Sequence, residues 1–263
     1  MKHLPNFIVV FSVVLLTAVP SLAIEAGLLP VPIFLEADAK ATVMLDSSTG
    51  YYVYEYTISN PDSNTGEIVR FAVDISRPPS SISLSSEGLI IPLGFITKTF
   101  DQEVASFKGD NVGMVPVGIE LPAGSGWRGG LRARGFARFS SSSDAGEDIL
   151  PGQTMGGFRL ISPGLPTIRN ISIEPGWYFL VEDHDAVTPE ERQRAREIED
   201  ALPFQTQTLG PIAIKPGSFA HWNQVRDDLN QAITLGWIPD TALGTALVNL
   251  IVQAREAFDA RDG

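Results

Sequence analysis

Tyr51 to Ser59 reads YYVYEYTIS and Glu67 to Ser76 reads EIVRFAVDIS. In the first run Tyr52, Tyr54, Tyr56 and Ile58 alternate with Val53, Glu55 and Thr57. In the second, Val69, Phe71, Val73 and Ile75 alternate with Arg70, Ala72 and Asp74. A period of two sends successive side chains to opposite faces of an extended chain, and β-branched and aromatic residues suit a pleated, half-buried surface. Both runs are therefore expected to be strands that bury one face. A sheet buries a face only by packing on a second layer, so the alternation already asks for a layered β architecture. Between the runs, NPDSNTGE concentrates turn formers and is expected to be a hairpin connection.

The same rhythm continues to residue 182. Further strands are expected at 31–35, 41–45, 95–99, 114–120, 131–139, 158–161, 168–173, 177–181 and 204–214, separated by Gly, Pro and Ser. Pro32 makes the first of these an edge strand at best. Helical periodicity is lacking between the strands up to residue 182, which disfavours an α/β fold. The expectation is a mainly β chain: an immunoglobulin-like antiparallel β-sandwich over 24–214, with a strand-rich barrel as the competitor. One insertion differs. TPEERQRAREIEDAL, at 188–202, has Thr188 as N-cap, Pro189 in the first turn and Glu191 completing a capping box. Its apolar residues are only Ala195, Ile198, Ala201 and Leu202, so it reads as a solvated charged helix, with a partner-binding helix as the alternative.

The two ends follow other rules. Lys2 and His3 precede an apolar run from Phe7 to Val19, followed by Pro20, Ser21, Leu22 and Ala23. Charged start, apolar stretch and small residues before a cut are the order of a secretory signal peptide, with cleavage expected after Ala23. The apolar run falls short of the roughly 20 residues a spanning helix needs. Without Lys2, 18 of the 19 basic residues remain against 31 acidic ones, a net charge of −13. That balance opposes binding to nucleic acid or anionic lipid. No cysteine is present, so an exported chain of this kind must rely on packing and has no disulfide framework, thiolate metal site or cysteine nucleophile.

At 215–263 the period changes from two to helical. Phe219, Trp222, Val225, Leu229, Ala232 and Ile233 share one face of a first helix, Gly236 sits where a left-handed cap is wanted, and Trp237 follows it. Asp240 is placed to cap a second helix whose Leu243, Leu247, Leu250, Ile251, Ala254 and Phe258 share a face. Such a C-terminal α-helical hairpin is not stable alone in water and must pack on the strands, on a partner or on another copy.

Gly210-Pro211, the turn Leu235-Gly236-Trp237-Ile238, and Leu243, Leu247, Leu250 and Ala254 at helical spacing carry a resemblance. The segment resembles the start of the FIMAH-type helical module that ends many secreted bacterial proteins; that module continues with a further helical segment, whereas this sequence stops at Gly263. A second likeness, to β-sandwich domains of exported bacterial proteins, rests on Tyr54 to Asn60, Phe71 to Ile75 and Pro151 to Phe158. The resemblance implies an exported accessory or surface protein and transfers no catalytic residue.

Candidate chemistry is sparse. Glu182, Asp183, His184 and Asp185 form an acidic loop that could hold a cation through oxygens, with or without the imidazole; the bland reading is a charged approach to the helix that follows. LPAGSGWRGG comes nearest to a nucleophile elbow, but Ala123 stands where the first glycine is required. Two features suit binding. LRARGFARF is expected to be one strand with Arg132, Arg134, Phe136 and Arg138 on one face, able to recognise carboxylates or an acidic glycan, or simply to pair with neighbouring acids. Trp127, in the glycine-rich loop, could stack on a sugar ring. The reading is an exported non-catalytic protein acting through binding or assembly, with a protein or glycan partner at the cell surface. A carbohydrate-binding module is the alternative, and a hydrolase with an unassigned carboxylate pair the less favoured one. No cofactor, nucleic acid or membrane insertion after signal cleavage is expected.

Overall fold

A computed structural model describes residues 36–78, 82, 84, 114–132, 135–142, 147–176 and 204–260. The signal segment 1–23, the strands expected at 31–35, 95–99 and 177–181, and the charged helix at 188–202 lie outside the described residues. The described strands are β1 (Asp38–Asp46), β2 (Tyr51–Ser59), β3 (Ile68–Asp74), β4 (Gly118–Glu120), β5 (Arg128–Arg132), β6 (Phe136–Ser140), β7 (Thr154–Ser162), β8 (Leu165–Pro175) and β9 (Phe204–Ile212). Two helices follow, α1 (Phe219–Thr234) and α2 (Thr241–Asp259). The chain is mainly β, with two antiparallel sheets ordered β1-β2-β7-β4 and β5-β6-β3-β8-β9.

The alternation read in β2 and β3 is what joins the sheets. Tyr54, Tyr56 and Ile58 of β2 and Phe158 and Leu160 of β7 face Phe71 and Val73 of β3, Ala137 and Phe139 of β6, and Ile171 and Ile173 of β8 in one buried core. At its centre Phe71 stacks on Phe139 with ring centroids 4.6 Å apart, and Phe158 meets Phe71 edge-on at 4.9 Å. Buried phenols need acceptors. The Tyr54 hydroxyl donates to Gly164 O at 2.9 Å, and that of Tyr56 donates at 3.0 Å to Leu209 O on β9, a bond from one sheet to the other.

Three expectations need correction. NPDSNTGE does not close a hairpin, because β2 and β3 belong to different sheets and the segment carries the chain from one to the other. Asn60 and Asn64 support that crossing: Asn60 Nδ2 donates to Gly66 O and Ile149 O, and Asn64 Nδ2 to Asn60 Oδ1. In β3 the inward set starts at Ile68 and not Val69, since a register shift between Ile68 and Arg70 changes the phase of alternation. Residues 131–139 are not one strand. Gly135 (φ +86°) reverses the chain between β5 and β6, and a Cβ there would lie 2.7 Å from Ser76 Cα, a position only glycine fills.

The helices begin and end where their capping residues stand. Ser218 accepts from His221 N at the start of α1, and Asp240 accepts from Ala242 N and Leu243 N at the start of α2. Between them Gly236 (φ +73°) gives its N–H to Ile233 O, and Trp237 N donates to Ala232 O, the paired bonds of a Schellman cap. Ala232, Trp237 and Ile238, with Leu229, Ile233 and Leu247, pack on Ile168 of β8 and Leu209 of β9. Asp228 ties α1 to that sheet, accepting from Thr167 Oγ1 at 2.9 Å and Ile168 N at 3.3 Å. Burial raises its carboxyl above the ordinary range against the pull of these bonds.

Candidate functional site

Two surfaces of the described residues stand out, one charged and one apolar. The charged one is the outer face of the second sheet beyond the helices. Leu131, Ala137 and Phe139 point into the core, so Arg128, Gly130 and Arg132 of β5 and Phe136 and Arg138 of β6 point out. The hairpin pairs Arg132 with Phe136 and Gly130 with Arg138. On its other side Arg138 pairs with Ala72 of β3, and Ala72 with Ser172 of β8. Arg138 thus lies in a row with the small residues Gly130, Ala72 and Ser172. Arg70 on β3 and Arg132 on β5 lie on the same face, each two pairs along the strands from Arg138 and in opposite directions.

Like charges brought this close oppose one another. The Arg138 guanidinium is pulled down to about 10, first by burial and then by Arg70 and Arg132, with Glu174 acting the other way. Arg70 is ion-paired with Glu174 across β3 and β8. Asp74, opposite Phe136, has its carboxylate engaged by Arg169 at 3.0 Å and by Ser76 N at 2.8 Å. Arg134 lies outside the described residues. Arg70, which reading along one segment missed, belongs to the site because β3 pairs with β6; its alternation with Phe71 had already placed it on an outward face.

Trp127 is not part of this surface. It is 2% exposed, meets Phe158 edge-on at 4.9 Å and donates its indole N–H to Glu147 O at 2.8 Å. Its loop is rich in glycine, but the ring turns inward, so the expected sugar platform is instead a core residue. Asp183, His184 and Asp185 lie outside the described residues. Among the described residues no group of three or more His, Asp or Glu is gathered as metal ligands would be. His221 accepts from Gly217 N at 2.9 Å through Nδ1, and burial lowers its pKa; it serves the start of α1.

The apolar surface belongs to α2. Gly244 lets the helices touch, for a Cβ there would meet Ile233 Cδ1 at 2.6 Å. Leu247 joins the packed cluster and Ile251 is half-buried. Further along, Trp222 and Phe258 rings lie 6.0 Å apart, and the Arg255 guanidinium sits 4.2 Å over the Phe219 ring. The expected shared face nevertheless splits. Leu243 is 53% exposed, Leu250 57%, Val252 39% and Phe258 41%. The contact line runs through Gly244 and Ile251, and Leu243 and Leu250 each lie one residue, about 100°, round the helix from it. Among the described residues no helix is long and apolar enough to cross a membrane. Comparison with models of known protein families and with curated proteins found no match.

Proposed function

We propose that this chain is an exported, non-catalytic protein that acts by assembly, an immunoglobulin-like sandwich whose C-terminal helical hairpin joins a second copy of itself. The observation that carries the reading is the solvent-facing pair Leu243 and Leu250 on a helix whose other side is already packed. The occupant follows from charge. The chain carries a net −12, so identical copies repel over most of their surface, yet residues 241–254 contain no ionisable side chain. An uncharged apolar helix face is where two such copies can meet, and a twofold contact lets the same leucines serve both sides. The pairings β1-β2-β7-β4 and β3-β8-β9 match the two sheets of a constant-type immunoglobulin domain, with the β5–β6 hairpin added to the free edge of β3, which supports the finer fold reading. Export rests on the expected signal segment.

One helix face is small, so the association should be of micromolar strength or weaker. Sedimentation equilibrium across a concentration series should show monomer and dimer, and Leu243→Glu with Leu250→Glu should leave monomer with an unchanged melting temperature. A protein that stays monomeric throughout the series overturns the self-assembly reading. The glycan reading loses Trp127 as its stacking platform.

A further inference from the structure

We propose that the self-assembly, on which this inference rests, is antiparallel: the α2 helices of two copies run in opposite directions, with Leu250 of each seated over Ala246 of the other. Leu243, Ala246, Leu250, Gln253 and Ala257 follow one another at intervals of three and four, and every one of them is exposed. That spacing averages 3.5 residues, so they form a single seam along the helix, the pattern by which two helices interlock their side chains. The line through Gly244 and Arg255, turned to Ile233 and Phe219 of α1, lies roughly a third of a turn away. The contact within the hairpin therefore leaves the seam in solvent. Residues 241–254 carry no ionisable side chain, so the seam brings no charge of its own to a meeting of two acidic copies.

Side-chain size along the seam decides the direction. At its centre large and small alternate as Leu243, Ala246 and Leu250. In a parallel pair each seam residue meets its own copy, so leucine on leucine would hold the helices apart while Ala246 faced Ala246 across a gap. Turned antiparallel about a twofold axis at the level of Val248, Leu250 meets Ala246 twice. Large then sits on small in both layers, and the side chains interdigitate without a void. The flanks of the seam agree with this register. Asn249 comes beside Asn249 of the other copy, where the two amides can bond one another. Asp240 comes beside Ala254 and Glu256 beside Ala242, so no carboxylate is set against another.

Sedimentation equilibrium of the full chain with substitutions at these exposed positions tests the seating. Ala246→Leu should weaken dimerisation about tenfold, because leucine then meets Leu250 of the other copy. In a parallel pair the same change would fill the gap and strengthen the dimer. Ala246→Leu combined with Leu250→Ala exchanges large for small and should restore most of the lost affinity. The chain has no cysteine, so disulfides give an independent reading. A mixture of Ala246→Cys and Leu250→Cys proteins should oxidise to the mixed dimer in preference to either like-with-like dimer. If Ala246→Leu lowers the melting temperature, the cysteine pair carries the test. A dimer that Ala246→Leu leaves unchanged or tightens, an exchange that recovers nothing, or cysteine variants that link like with like each overturns the antiparallel seating and leaves self-assembly standing. A parent that is monomeric at every concentration removes both.

Discussion

Tyr54 and Tyr56 show what one buried polar atom demands. Each ring fills the space between the sheets, and each hydroxyl has found a carbonyl. Burial pushes both phenols well above their ordinary value, so neither ionises while the chain is folded. A phenol with a raised folded pKa leaves stability intact below about 10 and erodes it as pH rises beyond that, because only the unfolded chain gives up the proton there. Ultraviolet titration should therefore find at least two of the five tyrosines, Tyr54 and Tyr56, silent until the protein unfolds in alkali; all five phenols titrating in folded protein would contradict this. Trp127 teaches the complementary lesson. Trp127→Ala should cost about 3–5 kcal/mol in urea denaturation, the range for removing a large buried aromatic. A glycine-rich neighbourhood describes the backbone and says nothing about where a side chain turns. The rings that receive Trp127 come from β3 and β7, far away in the chain.

At the scale of elements, local chemistry set where segments begin and end. Asp240, Gly236 and Ser218 act as caps through their own backbone neighbours, which is why Asp240 and Gly236 could be read in advance. Partners are another matter. Gly244 has no capping role and matters only because Ile233 lies against it; Gly244→Leu should part the helices at a cost of about 1–3 kcal/mol, seen as a lower melting temperature with helix content largely kept. The joint between α1 and the sheet is pH-sensitive. Burial raises the Asp228 carboxyl above 3.8, so the folded chain holds that proton more tightly than the unfolded one and stability falls as pH rises from 3.8 through the raised value. Asp228→Asn keeps an acceptor oxygen without the charge. Its melting temperature relative to the parent should rise between about pH 3 and pH 7, and a flat or falling difference would argue against a strained carboxylate.

Over the whole molecule, the outer face of the second sheet is divided. At β8 and β9 it is covered by the helices through Ile168 and Leu209, and at β5, β6 and β3 it carries the arginines. Removing residues 215–263 should expose Ile168 and Leu209, lower the melting temperature and promote aggregation, whereas the strands that carry the arginines should keep their pairing. An unchanged melting curve and solubility would mean that the docked helix contributes nothing to the fold.

Alternation with a period of two determined that β2 and β3 are strands and, from Phe71 onward in β3, which side chains they bury, since that follows from the geometry of a single extended chain. Capping chemistry likewise determined the turn between the helices. Only the tertiary structure decided that β2 and β3 lie in opposite sheets, that Arg70 stands beside Arg138, that Trp127 faces inward and that half of the α2 stripe is left in solvent. Each of these depends on which distant segment becomes a neighbour, and that choice is made by the packing of the whole core, where no local pattern can specify it.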